Sequence, residues 1–376
     1  MKILYGVQAT GNGHITRARA LNKHLKSLGI GVDYIFSGRD KANFFDMEDF
    51  GDWRCYSGLS FVHEAGKLSI GKTIRFNKFH QLLKDINSIS LDEYDLIITD
   101  FEPIAAWAAK RAKRHCVGIG HQYAFEHDVP KSGANFISKT IMRYFAPAST
   151  SLGLHWHHFG QQILPPIAEV HASGRVSDPN KIVVYLGFED PEEVMLMLEP
   201  FDSFLFVFYG PFAQYENRGH IQLKPLSLRG FKQDLSTAGG VICNAGFELS
   251  SEAIQLGIKL LIKPLQGQME QLSNATALEE LGLGVTMASL DANVLKFWLE
   301  QWKGKQVLYP DVAKAIAHWI ANAEWKDPAS REKLIEHLWR ETLAPDVTSF
   351  TANPCPPTTK AISAKEIDFR ATQPET

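Results

Sequence analysis

The segment Gly11-Asn12-Gly13-His14 closes the first apolar run of the chain and opens a helical pattern, ITRARAL, with Ala18, Leu21, Leu25 and Leu28 as its buried stripe. A histidine at such a junction lies at the carboxyl edge of a parallel sheet, where open α/β folds place their ligands. Its imidazole could take a proton from an attacking hydroxyl near neutral pH. Asp100 ends another apolar run, DLIITD (95–100), at an equivalent edge, and could orient that imidazole. By position alone, His14 could equally bond a loop and Asp100 could cap one. Gly11 and Gly13 let the backbone turn tightly and let a ligand reach the helix start, where free amides and the dipole favour anions.

A second junction of the same kind is VICNAGFELSSE (241–252). The apolar run stops at Asn244-Ala245-Gly246, and a helix starting at Phe247 would present the amides of Phe247, Glu248 and Leu249, a terminus that suits a diphosphate. Glu252 follows Glu248 by one turn, placed to accept hydrogen bonds from a ribose diol. Glu248 could also be a plain first-turn acid that stabilises the helix by ~0.3–1 kcal/mol. The next apolar run, KLLIKPL, ends in Gln266-Gly267-Gln268-Met269-Glu270-Gln271, where amides and carboxylates together suit the rim of a sugar.

Other patterns lead elsewhere. A dinucleotide fingerprint would need glycine where Thr16 stands and an acid where Ser37 stands. GKLSIGKT (66–73) matches the P-loop spacing with Lys72, but Val62-His63-Glu64-Ala65 before it is no buried strand, and an acid stands where phosphates would approach. His155-Trp156-His157-His158 would put His155 and His157 on one face of an extended strand, yet no carboxylate or cysteine is near; packing is the better reading than a metal. NFISKTIMRYF (135–145) has Ile137, Ile141, Tyr144 and Phe145 at helical spacing with Lys139 and Arg143 on another face, a core helix in preference to a membrane-docking one.

The elements that must carry these groups alternate. Strands are expected at 2–7, 32–36, 95–100 and 116–120, then at 181–187, 204–210, 240–245 and 259–265, with helical stretches between them. That is an α/β chain of two Rossmann-like, doubly wound parallel-sheet domains facing a cleft, with domains at 1–165 and 166–344 and a disordered Pro/Thr/Ala-rich tail at 345–376. A net charge of -3 gives no reason to propose a nucleic-acid partner. Cys55, Cys116, Cys243 and Cys355 form no close pair, which fits a reducing cytoplasm. No run approaches the ~18 apolar residues of a spanning helix, so a membrane would be met only from the side, at its inner face.

NAGFELSSEAIQLGIKLLIKPLQGQMEQLSNA resembles the donor-binding region of GT-B glycosyltransferases, similar to the peptidoglycan N-acetylglucosaminyltransferase and the plant secondary-metabolite glucosyltransferases. With GNGH at the start, the chain most resembles an uncharacterised bacterial and archaeal glycosyltransferase-like branch. The resemblance extends over both domains and is most specific at 11–17, 95–102 and 240–275. It implies His14 as base and Asp100 as its orienting acid, Gly246 and Glu252 at diphosphate and ribose, and Glu270-Gln271 at the donor sugar. Asn244 stands where plant relatives carry a diphosphate-binding histidine, and Glu248 where they use a neutral asparagine. The expected activity is inverting transfer of a sugar from a nucleotide-diphosphate donor, UDP-linked, to a hydroxyl on a lipid, glycan or small molecule. The nucleotide sugar is a co-substrate and no cofactor is called for. The chain has no Asp-x-Asp pair, so helix amides would replace a metal. A nucleotide-sugar epimerase or a non-catalytic nucleotide-sugar binder would use the same donor site, and a P-loop NTPase would need Lys72.

Overall fold

In β1 (Lys2–Gln8), Ile3, Tyr5 and Val7 enter one core and Leu4 another on the opposite face, as a strand buried on both sides requires. The computed structural model describes residues 1–59, 63–64, 67–68, 78–170 and 176–344. From β1 the chain continues through α1 (Asn12–Ser27), β2 (Gly31–Ser37), β3 (Trp53–Tyr56), β4 (His63–Glu64), β5 (Lys67–Leu68), α2 (Phe79–Ser88), β6 (Leu96–Asp100), α3 (Pro103–Arg111), β7 (Cys116–Gly120), α4 (Phe136–Tyr144) and β8 (Thr150–Gly153). Six of these strands form a parallel sheet in the order β3-β2-β1-β6-β7-β8. Helix α1 covers the face bearing Ile3, Tyr5 and Val7, while α2 and α3 cover the face bearing Leu4, Ile35 and Ile97.

The second half repeats the plan with β9 (Asp178–Tyr185), α5 (Pro191–Leu198), β10 (Leu205–Gly210), β11 (Glu216–Arg218), β12 (Ile221–Pro225), α6 (Leu228–Thr237), β13 (Ala238–Asn244), α7 (Phe247–Leu256), β14 (Lys259–Lys263), α8 (Met269–Glu280) and β15 (Val285–Thr286). Helices α9 (Ala292–Gln301), α10 (Val312–Ala321) and α11 (Pro328–Glu341) follow. The sheet order is β11-β12-β10-β9-β13-β14-β15, parallel except for β11. All eight expected strands form, with β9 starting at Asp178 rather than Lys181. The short β3 and β8 went unread because neither Trp-Arg-Cys-Tyr nor Thr-Ser-Leu-Gly has an apolar run.

One core runs through both sheets. It joins Ala18 and Leu21 of α1 to Ile316 and Ile320 of α10, and Trp156 to Phe247 of α7. The last helix turns back to the first half, where Trp339 Nε1 donates to the Ile163 carbonyl at 2.6 Å.

Three expectations are changed or sharpened. His155–His158 is a loop and not an extended strand: β8 ends at Gly153, and His155, His157 and His158 each accept a nearby backbone amide through Nδ1 at 2.8–3.0 Å. Among the described residues no cluster of three or more His, Cys, Asp or Glu could hold a metal. In the would-be P-loop, Lys67–Leu68 pairs antiparallel with His63–Glu64, outside the main sheet, so among the described residues no parallel strand enters it; Lys72 lies outside the described residues, as does the 345–376 tail. Helix α4 lays half-buried Ile141 and Met142 on Phe101 and Tyr123 but leaves Tyr144 exposed, so it is a surface helix packed by one face rather than a core helix; the Ile137 side chain lies outside the described residues. No helix among the described residues is long and apolar enough to cross a membrane.

The turn after β6 is tightly built. Phe101 takes a positive φ of 50°, uncommon for a bulky residue, and is held there by stacking on Phe145 at 5.0 Å. The Thr99 hydroxyl accepts from the Glu102 amide at 2.8 Å and donates to its carbonyl at 2.9 Å. The fully buried Glu102 carboxylate caps α3, accepting from the Ile104 and Ala105 amides and from Ser37 Oγ at 2.7–2.8 Å. Burial raises its pKa to about 7, with those hydrogen bonds opposing the rise. A raised folded-state value favours the protonated native form, so this contribution, on the order of 3 kcal/mol, is complete below the ordinary value of 4.5 and lost as pH rises through about 7. Chemical denaturation across that window should show stability falling with pH, and Glu102→Gln should flatten the slope; an unchanged slope contradicts a buried titration at Glu102.

Candidate active site

A cleft of about 460 Å³ opens between the two sheets and is lined from both sides, by residues 10–16 of the first half and by Asn244, Gly246, Phe247, Glu248, Glu252, Gln268, Glu270 and Gln271 of the second. Four α-helices start on it: Gly11, Gly246 and Gln268 give theirs no side-chain cap, while Ser227 caps α6 by accepting from the Gly230 amide at 3.1 Å. Away from the cleft, Glu102, Asn135, Asp190, Asp291, Asp311 and Asp327 all cap theirs, and among the described α-helix starts there only Lys78 does not. Helix amides are therefore left without side-chain partners where a ligand could take them.

On the first-half wall, His14 Nδ1 lies 2.7 Å from Asp100 Oδ1. The strand pairing explains why: β1 and β6 are neighbours in register, Val7 opposite Asp100, and α1 begins just past β1. Asp100 is fully buried, which alone would raise its pKa, but Arg17 and His14 outweigh burial and hold the carboxyl below its ordinary value. With Asp100 ionised, Nδ1 carries the proton and Nε2 is the basic nitrogen.

Sequence reading missed Arg17. It is 2% exposed, donating through Nε and Nη2 to the two oxygens of Asp100 at 2.7 and 2.5 Å and through Nη1 to Glu248 of α7. The available signal was its position three residues after His14, on the same helix face. Gly13 has its own structural reason: a Cβ there would collide with the Glu248 carboxylate.

The donor-side residues divide. Phe247 contributes its backbone to the cleft, but its ring is buried in the first half, stacked on His121 at 4.0 Å and 5° and lying 4.9 Å from Trp156. Burial lowers the His121 pKa to about 4, so the stack is with a neutral ring. Glu252, 4% exposed, pairs with Lys232; burial raises its pKa and Lys232 pulls it back. Glu270 accepts from Gln122 Nε2 of the first half at 3.0 Å, and burial raises its pKa. Gln268 Oε1 is buried with no hydrogen-bond partner among the described residues. Gln271 Oε1 accepts from the Leu265 amide at 3.0 Å and braces the preceding turn. Asn244 Nδ2 donates to the Lys263 carbonyl at 3.1 Å and so ties β13 to β14. Gln122, His121 and Lys232 carried no sequence signal, since their partners are far along the chain.

The family model for glycosyl transferase family 1 matches residues 1–302. The chain belongs to that family. An uncharacterised glycosyltransferase from Methanosarcina acetivorans is 28% identical over 140 residues, a match covering 35% of this chain and 35% of that one. Among solved structures, the spinosyn rhamnosyltransferase SpnG is 14% identical with a TM-score of 0.54, covering 90% of this chain and all of the other. The glycotransferase of kitacinnamycin, also 14% identical with a TM-score of 0.54, is covered to 94% by 90% of this chain. These likenesses show the GT-B fold, and membership of the family makes this chain a glycosyltransferase. SpnG has also been solved complexed with spinosyn aglycone.

In this glycosyltransferase the Phe247 ring fixes the amino end of α7 to the opposite half. Phe247→Ala is expected to cost about 3–5 kcal/mol and Phe247→Leu less than half of that, read by chemical denaturation. A loss below about 1 kcal/mol for the alanine variant would contradict the docking.

Proposed function

We propose that this glycosyltransferase uses a nucleotide-diphosphate sugar, UDP-linked, and transfers the sugar to an acceptor hydroxyl with inversion and without a metal or other cofactor. The observation that carries the reading is the placement of the His14–Asp100 pair across one cleft from the uncapped start of α7. The diphosphate sits on the Phe247–Leu249 amides, with the ribose diol at Glu252 and the donor sugar at Gln268 and Glu270.

The acceptor hydroxyl loses its proton to His14 Nε2 as its oxygen bonds to the anomeric carbon from the face opposite the diphosphate. The bond from that carbon to the phosphate oxygen breaks, and the electron pair leaves with the nucleoside diphosphate. Asp100 stabilises the imidazolium formed, while helix amides meet the charge growing on the leaving group. Arg39, on the cleft wall, adds positive charge, while the Lys232 ammonium is paired with Glu252.

Calorimetry with a panel of UDP, GDP and dTDP sugars, followed by turnover with candidate acceptors, tests this. Glu252→Ala is expected to lose most donor affinity. His14→Ala is expected to keep donor affinity and lose about 10²- to 10⁴-fold in turnover. Absence of binding by every nucleotide sugar sinks the donor site, and a fully active His14→Ala sinks the base. Nucleotide released from the donor without any acceptor would point to the epimerase reading.

A further inference from the structure

A guanidinium in the core of an α/β protein has to be explained. Arg17 sits on α1 beside Ala18, Ala20 and Leu21, in a place where an aliphatic side chain would pack, and burial works against its charge. Replacing a buried ion cluster with well-packed apolar residues is often neutral or stabilising, so fold stability alone is a weak reason for this arginine. Its contacts give a better one.

We propose that Arg17 is a positioning residue for the transfer step, setting the tautomer of His14 through Asp100, and that Glu248 makes this setting depend on the docking of the two halves. The inference rests on His14 acting as base, as proposed above. Asp100 Oδ1 receives both His14 Nδ1 at 2.7 Å and Arg17 Nη2 at 2.5 Å, while Oδ2 receives Arg17 Nε at 2.7 Å. The fork pins both carboxylate oxygens, so the carboxylate cannot turn away from the imidazole.

Arg17 Nη2 also lies 3.0 Å from His14 Nδ1. That nitrogen of arginine can only donate. Were it free to turn from Asp100 to Nδ1, it would draw the Nδ1 lone pair toward itself and leave the proton on Nε2. His14 would then face the cleft as a donor, with no base to offer. While the fork stays on Asp100, the imidazole keeps its proton on Nδ1 and its lone pair on Nε2.

What keeps the fork in place is the third contact, Nη1 with Glu248. This carboxylate comes from α7, on the other sheet, 231 residues away. It is seated over Gly13, where no side chain stands in its way. Undocking the halves would remove Glu248 and free the guanidinium, so the base is set only when the diphosphate seat on α7 is in position. This is a specificity device, because it ties proton abstraction to an assembled donor site.

The test uses the full chain with Arg17→Lys, Arg17→Met and Glu248→Gln. Lysine keeps the charge but has no fork. Glu248 is partly exposed, so its variant addresses the contact without emptying the core. Nitrogen NMR of the His14 ring reads the tautomer, calorimetry reads donor affinity, and steady-state kinetics separates kcat from KM. The expected result is Nδ1–H in the wild type and a substantial Nε2–H population in Arg17→Met and Glu248→Gln. The kcat should be down about 10- to 100-fold in both, less than the ~10⁴-fold loss of a histidine left wholly in the wrong tautomer, while donor affinity should fall in Arg17→Met, which bares the Glu248 carboxylate beside the diphosphate seat, and not in Glu248→Gln. Arg17→Lys should not restore kcat. An unchanged tautomer in Glu248→Gln, or wild-type kcat in the Arg17 variants, overturns the inference. If the wild type transfers no sugar, the functional reading fails, and the ring spectra still decide what Arg17 does.

Discussion

The first turn of α7 is held from the opposite half while its amides face the cleft. Phe247 places its ring against His121 and Trp156 of the first half, and the Ala245 carbonyl just before it accepts from Asn274, whose own oxygen contacts His121 at 2.6 Å. Ser251, one turn on, accepts from Trp156 Nε1 at 2.9 Å. These contacts are aromatic, buried and directional, and together they fix where the helix begins relative to β1 and β7. While the halves are docked, the distance between the start of α7 and His14 is thereby set by the packed core.

Charge in the cleft follows from that docking. An acid at position 248, in the first turn of the helix proposed to hold phosphate, looks unfavourable when read along the chain. In the fold it is turned toward Arg17 and its charge is met there, so a diphosphate on the α7 amides faces an ion pair and not a bare carboxylate. Glu252 is likewise met by Lys232, while Glu270 accepts a hydrogen bond from the amide of Gln122. The result is a nucleotide side with compensated charge and a sugar side, around Gln268 and Glu270, with hydrogen-bond acceptors to spare. A ligand rich in hydroxyls complements the second and an anionic one the first.

The strand-turn-helix junctions were legible because each is local: an apolar run, a small-residue turn and an amphipathic stripe within about twenty residues. That locality gave both sheets, the cleft and the edge positions of His14, Asp100, Glu252 and Glu270. Side-chain direction was not legible. Asn244 and Gln271 hydrogen-bond their own backbone neighbourhood, and the Phe247 ring points into the other half, none of which the pattern of residue types encodes. Arg17 escaped notice for the same reason: its partners are 83 and 231 residues away, and only the pairing of β1 with β6 and the docking of α7 bring them to it. The histidine run was misread as extended because alternation over four residues suits a strand or a loop equally; the ring nitrogens spent on local amides decide for the loop.

The central claim is that the α7 start is the pyrophosphate seat of the donor. A crystal structure of this glycosyltransferase soaked with UDP tests it most directly. The account predicts phosphate oxygens within hydrogen-bonding distance of the Phe247–Leu249 amides, with the ribose diol on Glu252. Nucleotide bound outside the cleft, or phosphates turned away from α7, would contradict it.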